Sequence, residues 1–234
     1  MSEKYEIIDA GKHKKFYAKL DTDLLHSKER HLVVITPSEV AKAALNFPIC
    51  FIKSGGDAKF QMIAILGLET GKNAFYRGNR FESPYIPQHL VKYPFVLAKT
   101  SDEKTYLAIH ASALNSSGIG EPLFQDSGEL SDFLKLRHSQ LEELYRQDEL
   151  SFQFVNRLSE LGLLTEFSFK FDLGDGEKKE IGGLYSVDRE LLNSLDDESL
   201  LSLQKSGMLE AVHAHLLSLG QLQRVIDLSA TANH

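Results

Sequence analysis

Cysteine occurs once in the 234 residues, as Cys50, so an intramolecular disulfide framework is excluded. The thiol stands inside the apolar run Pro48-Ile-Cys-Phe-Ile52, where it is expected to pack as a small hydrophobe and not to react. Long hydrophobic runs are missing too. Met62 to Leu68 is among the longest, far below the roughly 20 residues a helix needs to cross a bilayer, so a membrane-spanning helix is not expected. The opening Met1-Ser-Glu-Lys-Tyr-Glu has neither the basic nor the apolar part of a secretory leader. A cytoplasmic location is therefore expected, with surface association only by a non-standard route. Positive charge is in deficit. Lys and Arg number 26 against 33 Asp and Glu, and the net charge of −7 repels phosphate backbones, so a nucleic-acid partner is not expected.

The motifs that carry familiar chemistry are also absent. There is no GxxxxGK[ST] phosphate loop, GxGxxG fingerprint, HExxH or paired CxxC, and no Gly-x-Ser-x-Gly elbow for a serine nucleophile. Gly118-Ile-Gly120 and Gly174-Asp-Gly176 lack the following helix start that phosphate binding needs, and read as turns. His213-Ala-His215 lies on a helical stretch, where positions two apart point to different faces, so it does not make a chelate. One of the two is expected to pack beside Leu216 or to bond a neighbouring carbonyl. Neither a metal site nor a cofactor is expected, and no catalytic residue stands out.

What is present is the composition of an ordinary folded chain, with 42% hydrophobic and 25% charged residues. The patterning predicts an α+β fold of antiparallel sheet with packed helices. His31–Thr36 reads as a β-branched strand, and Thr36-Pro-Ser-Glu39 as a capped helix start whose helix reaches about Asn46. Ile49–Lys53 and Phe60–Leu66 flank Ser54-Gly-Gly-Asp57 as a hairpin, which Asn73–Arg77 would extend. Phe95–Lys99 and Tyr106–His110 form another pair, turning at Ser101–Lys104, and a short strand at Tyr5–Ile8 would join something later. Two helices follow on apolar stripes, one through Leu130, Leu134, Leu141 and Leu144 and one through Phe154, Val155, Leu158 and Leu161. A second hairpin, Thr165–Leu173 with Glu180–Val187, turns at Gly174–Gly176. Asp188 starts a short helix, another closes at Gly207, and a last one carries Leu209, Val212, Leu216 and Leu219 before a tail that frays after Asp227.

Residues 1–30 read as an N-terminal arm and 31–230 as the folded body. Within that body the order helix, strand, Gly-rich turn, strand, Gly-Leu occurs twice, over Glu39–Leu68 and Phe152–Leu184. Two similar halves, 31–111 and 121–230, are the resulting expectation, with the Ser/Gly/Asn-rich stretch 112–121 as their boundary.

Asn73–Phe95 has the composition of a recognition surface: Phe75, Tyr76, Arg77, Arg80, Phe81, Tyr85, Tyr93 and Phe95 accompany several prolines. The plainer expectation, which outweighs it, is that these rings fill the core between sheet and helices, because buried aromatics dominate core energetics. Asn73, Phe75, Arg80, Tyr85, Pro87, Tyr93 and His215 are the candidate binding residues, for a peptide or protein partner. An enzyme would have to assemble its site from dispersed groups such as Arg80, Tyr85, Asp188 and His215, and would place His215 against a carboxylate in a concave pocket. Asp126, Glu129, Asp175 and Asp188 stand where carboxylates cap turns and helices.

A set of motifs in order along the chain resembles the SapC family, named for association with bacterial surface-layer proteins. They are Phe47-Pro-Ile-Cys-Phe-Ile52, Gly67-Leu68 with Asn73-Ala-Phe75, Tyr85-Ile-Pro87, Tyr93-Pro-Phe95, Glu121-Pro-Leu-Phe124, Gly182-Gly-Leu-Tyr-Ser-Val-Asp188 with Leu191, and Ala214-His-Leu-Leu-Ser-Leu219. The likeness covers about residues 30–228. Relatives often carry two arginines where this chain has Val91-Lys92, and a tryptophan near Phe81, so any role those arginines have in relatives does not transfer to this chain. The resemblance implies a surface-layer connection, and with it the alternative of a structural surface-layer or envelope-associated component. It also implies company with flavin-dependent halogenase-like proteins, JmjC-like cupins and TonB-dependent receptors, hence an accessory role in modification or uptake. It supplies no catalytic residues.

Overall fold

The computed structural model describes residues 4–54, 59–99, 104–172 and 178–231. The turns expected at Ser54–Asp57, Ser101–Lys104 and Gly174–Gly176 lie largely outside these residues, as does Asp175. The chain forms two compact units, each made of two segments: Met1–Asp23 with Val91–Arg146, and Leu24–Leu90 with Gln147–His234. Helices and antiparallel sheets in both give an α+β protein. No described helix is long and apolar enough to cross a membrane.

In the smaller unit, Tyr5–Ile7 pairs with Thr105–His110, which pairs in turn with Phe95–Lys99. The early strand thus finds its expected later partner. Tyr145 closes the outer side of this sheet by donating its hydroxyl to the Leu97 carbonyl (3.0 Å). The stretch 112–121 is folded: Leu114–Asn115 and Glu121–Pro122 both pair with Tyr17–Ala18. Asn115 holds the loop between them, its amide donating to the Ile119 carbonyl (2.7 Å) while its oxygen accepts from Ser117. Gly120 runs so close to Ala18 that a Cβ would stand 2.2 Å from the Ala18 carbonyl oxygen. Phe95, Ile109, Leu123, Leu134 and Leu141 form the core of this unit.

The larger unit is built on a five-stranded sheet in the order Leu164–Asp172, Lys178–Val187, Ile49–Ser54, Lys59–Ile65, Leu32–Val34. Both predicted hairpins are present and lie side by side. Among the described residues Asn73–Arg77 does not extend them; Tyr76–Arg77 pairs with Arg80–Phe81 in a separate ribbon. The two Gly-Leu pairs that look alike in sequence answer different demands. A Cβ on Gly67 would meet the Lys72 carbonyl oxygen at 1.8 Å, whereas Gly183 takes φ +73° at the register shift in its strand. Phe47, Phe51, Phe75 and Phe154 lie fully enclosed in the core with Met62, Leu158 and Val212.

Cys50 is fully buried in this core, and removal from water pushes its thiol up to about 12. Native protein is expected to ignore thiol reagents at pH 8 and to label only as fast as it unfolds. Rapid native labelling would contradict this burial.

Two helical expectations are corrected. The paired helices are one, Asp132–Glu160, contributing residues up to Arg146 to the smaller unit and from Gln147 to the larger. The apolar stripe breaks where its burial passes from one core to the other, and that break imitates a loop. The C-terminal end does not fray after Asp227: Leu222–Thr231 is helical, with Val225 buried and Ile226 packed on the core.

Candidate functional site

The aromatic region divides between surface and core. Phe75 is fully buried and packs edge-on to Phe47 (centroids 4.8 Å apart), with Phe81 beside both rings. Asn73 is buried; its amide donates to the Ser27 carbonyl (2.9 Å) and its oxygen accepts from Phe75 N–H (2.9 Å), fastening a loop. Pro87 is buried as well. Arg80 remains at the surface, paired with Glu82 (3.2 Å). Tyr93 belongs to the smaller unit, where its hydroxyl lies 3.3 Å from the Ser112 hydroxyl and its ring faces His110.

Tyr85 is half-buried and donates to Glu39 Oε2 (2.6 Å), which also accepts from the Gln88 N–H (3.0 Å). Glu39 Oε1 takes the Thr36 N–H (3.0 Å) and the Thr36 hydroxyl (3.2 Å). The carboxylate is 1% exposed and carries the predicted capping contact plus a second function, tying 85–88 to the helix start. Burial, and then the neighbouring carboxylate, raise the Tyr85 pKa above its ordinary value.

His215 is fully buried. Its sheet context explains why. The pairings Leu184 with Ile52 and Tyr185 with Phe51 would next bring Val187 opposite Ile49, but the ladder stops and the imidazole stands between them. Nε2 accepts from the Val187 N–H (3.1 Å), with the Ser186 hydroxyl at 3.2 Å, so the proton is on Nδ1 and is donated to the Ile49 carbonyl (2.8 Å). The ring replaces the one missing ladder bond from the Val187 N–H to the Ile49 carbonyl with two bonds of its own. Burial pushes its pKa down to about 4, against a smaller upward pull from the Ile49 carbonyl. None of these partners is a carboxylate. Asp188 caps the next helix, accepting from Glu190 and Leu191 N–H. The dispersed residues of the enzyme expectation thus hold separate structural posts. His213 is exposed, on a different face from His215.

An open cleft that sequence reasoning missed lies elsewhere in the larger unit. It encloses about 290 Å³, with Phe60, Met62, Phe152 and Val155 as apolar lining and Lys59, Gln61, His89, Asp148 and Ser151 as polar lining. His89 Nε2 is 2.8 Å from Asp148 Oδ1. The Lys59 ammonium sits over the Phe152 ring (5.4 Å), and Phe152 is 38% exposed. Beside the cleft Phe60 meets Tyr185 edge-on (4.8 Å), with the Lys53 ammonium over both rings. His89 follows Pro87 in the region singled out from the sequence. Asp148 falls in the break of the helical stripe, 59 positions away, and no local signal joins the two.

A family model, SapC, matches residues 8–225, nearly the whole chain. The chain belongs to the SapC family. None of the curated proteins and none of the solved structures matches it. For this SapC-family chain the geometry of its own cleft is therefore the guide to what it can bind.

Proposed function

We propose that this SapC-family chain is a binding or accessory protein that recognises a peptide segment of a partner protein through the cleft between Lys59 and Asp148. The observation that carries the reading is the cleft's make-up. Exposed ring surface is set among a few convergent polar groups, as in pockets that take one anchoring side chain. Phe60 and Phe152 favour an apolar anchor. Lys59 and Lys53, held over rings, favour a carboxylate next to it on the same segment. The Asn73–Phe95 region then contributes through His89.

The test is selection of peptides from a random displayed library against the intact protein, followed by affinity measurement on single peptides. Apolar-acidic sequences are expected to emerge, and Phe152→Ala and Lys59→Glu are each expected to weaken them about tenfold or more. Peptides that bind both variants as well as the parent would sink the proposal. A second reading rests on the His89–Asp148 pair alone, since a carboxylate orienting an imidazole in an open cleft is the geometry of a general base. It requires a turnover that His89→Gln abolishes while peptide binding stays within a few-fold.

A further inference from the structure

We propose that the edge strand Leu164–Asp172 pairs antiparallel with the same strand of a second copy, joining the two five-stranded sheets into one across a two-fold axis. This strand ends the sheet, with Lys178–Val187 on its inner side. The Leu163 carbonyl accepts from the Asp188 N–H (2.9 Å), so odd-numbered residues turn their backbone groups inward. The alternation of an extended strand then points those of Leu164, Glu166, Ser168, Lys170 and Asp172 outward. Glu166, Ser168 and Lys170 are exposed.

The side chains select both the partner and the register. Two copies centred on Ser168 bring outward-facing residues opposite one another throughout, which is what a new ladder of bonds requires. Glu166 of each copy then faces Lys170 of the other, and Phe167 faces Phe169 on the opposite side of the sheet. Opposite charges and aromatic rings are both favourable cross-strand pairs. Centring on Glu166 would set two carboxylates together, and centring on Lys170 two ammonium groups, each destabilising. Within one copy Lys170 already lies 3.8 Å from Glu180, on the same exposed face, so its ammonium stands close to where the second Glu166 arrives. No charge needs to be buried, and the edge that would otherwise be an open template is closed.

Sedimentation velocity on the full chain at rising micromolar concentrations tests this. A dimer is expected for the parent. Glu166→Lys and Lys170→Glu, each of which sets like charges opposite one another twice, are expected to weaken self-association about tenfold or more. Mixing the two variants in equal amounts is expected to restore the dimer, because both cross-strand pairs become complementary again. A parent that stays monomeric, variants that still dimerise, or a mixture that stays monomeric would each overturn the proposal. Should either reversal unfold the chain, Glu166→Gln and Lys170→Gln replace the pair, each expected to weaken the dimer several-fold, and an unchanged dimer has the same overturning force.

Discussion

Leucine in place of His215 is expected to lower the unfolding free energy by about 3–5 kcal/mol, since it strands the buried Val187 N–H and Ile49 carbonyl at about 1–3 kcal/mol each and fills the space less well. Urea denaturation at pH 7.5 measures it. Glutamine, which keeps one donor and one acceptor, is expected to recover part of the loss. A pH signature accompanies the change. The folded pKa, about 4, lies below the ordinary value of 6.5, so between these values the unfolded chain binds a proton that the folded chain refuses. The stabilisation is complete above about pH 6.5 and declines as pH falls towards 4, by about 3 kcal/mol in all. Carboxylates titrate in the lower part of this window in parent and variant alike, so the difference between the two curves isolates the imidazole. Parallel curves would show that the ring does not hold the strands together.

Glu39→Ala is the second large effect. It removes the acceptor of four hydrogen bonds, from the Thr36 N–H, the Thr36 hydroxyl, the Tyr85 hydroxyl and the Gln88 N–H, at a site closed to water. Bonds to an ionised group contribute about 1.5–3 kcal/mol each, and partial relaxation leaves an expected loss of about 3–5 kcal/mol. Tyr85→Phe alone is expected to lose about 1–2 kcal/mol, because the second oxygen keeps its Gln88 partner. In the double variant the two losses are expected to fall short of additive by about 1 kcal/mol or more. Full additivity would mean that the hydroxyl and the carboxylate do not act together.

The local devices were legible in the sequence, and the distant ones were not. Both hairpins announce themselves because Gly-rich turns separate β-branched runs of strand length. The Thr36–Glu39 cap is legible because all of its partners lie within four residues. The same glutamate's bonds to Tyr85 and Gln88 span 46 and 49 positions, and nothing near Glu39 advertises them. The single helix Asp132–Glu160 reads as two because an apolar stripe records burial, and here burial changes from one core to another partway along. One histidine of the His213/His215 pair could be read as a core residue, but which one, and its placement at the seam between two strands, depends on a register set by residues 28 and 166 positions away. The His89–Asp148 pair was invisible for the same reason: His89 hides in a region rich in louder residues, and Asp148 is one acid among many on a helix.

The seam at which Ile52 meets Leu184 also has a consequence during synthesis on the ribosome. Ile49–Ser54 can pair with Lys59–Ile65 as soon as both have left the exit tunnel, but its other side waits for a strand that emerges roughly 130 residues later, some 7–25 s at ordinary elongation rates. Through that interval the nascent chain displays an unsatisfied apolar strand edge, Ile-Cys-Phe-Ile, of the kind that holding chaperones recognise. Slowed translation of the second half lengthens that exposure and is expected to lower the yield of soluble chain, even though the finished protein is unchanged.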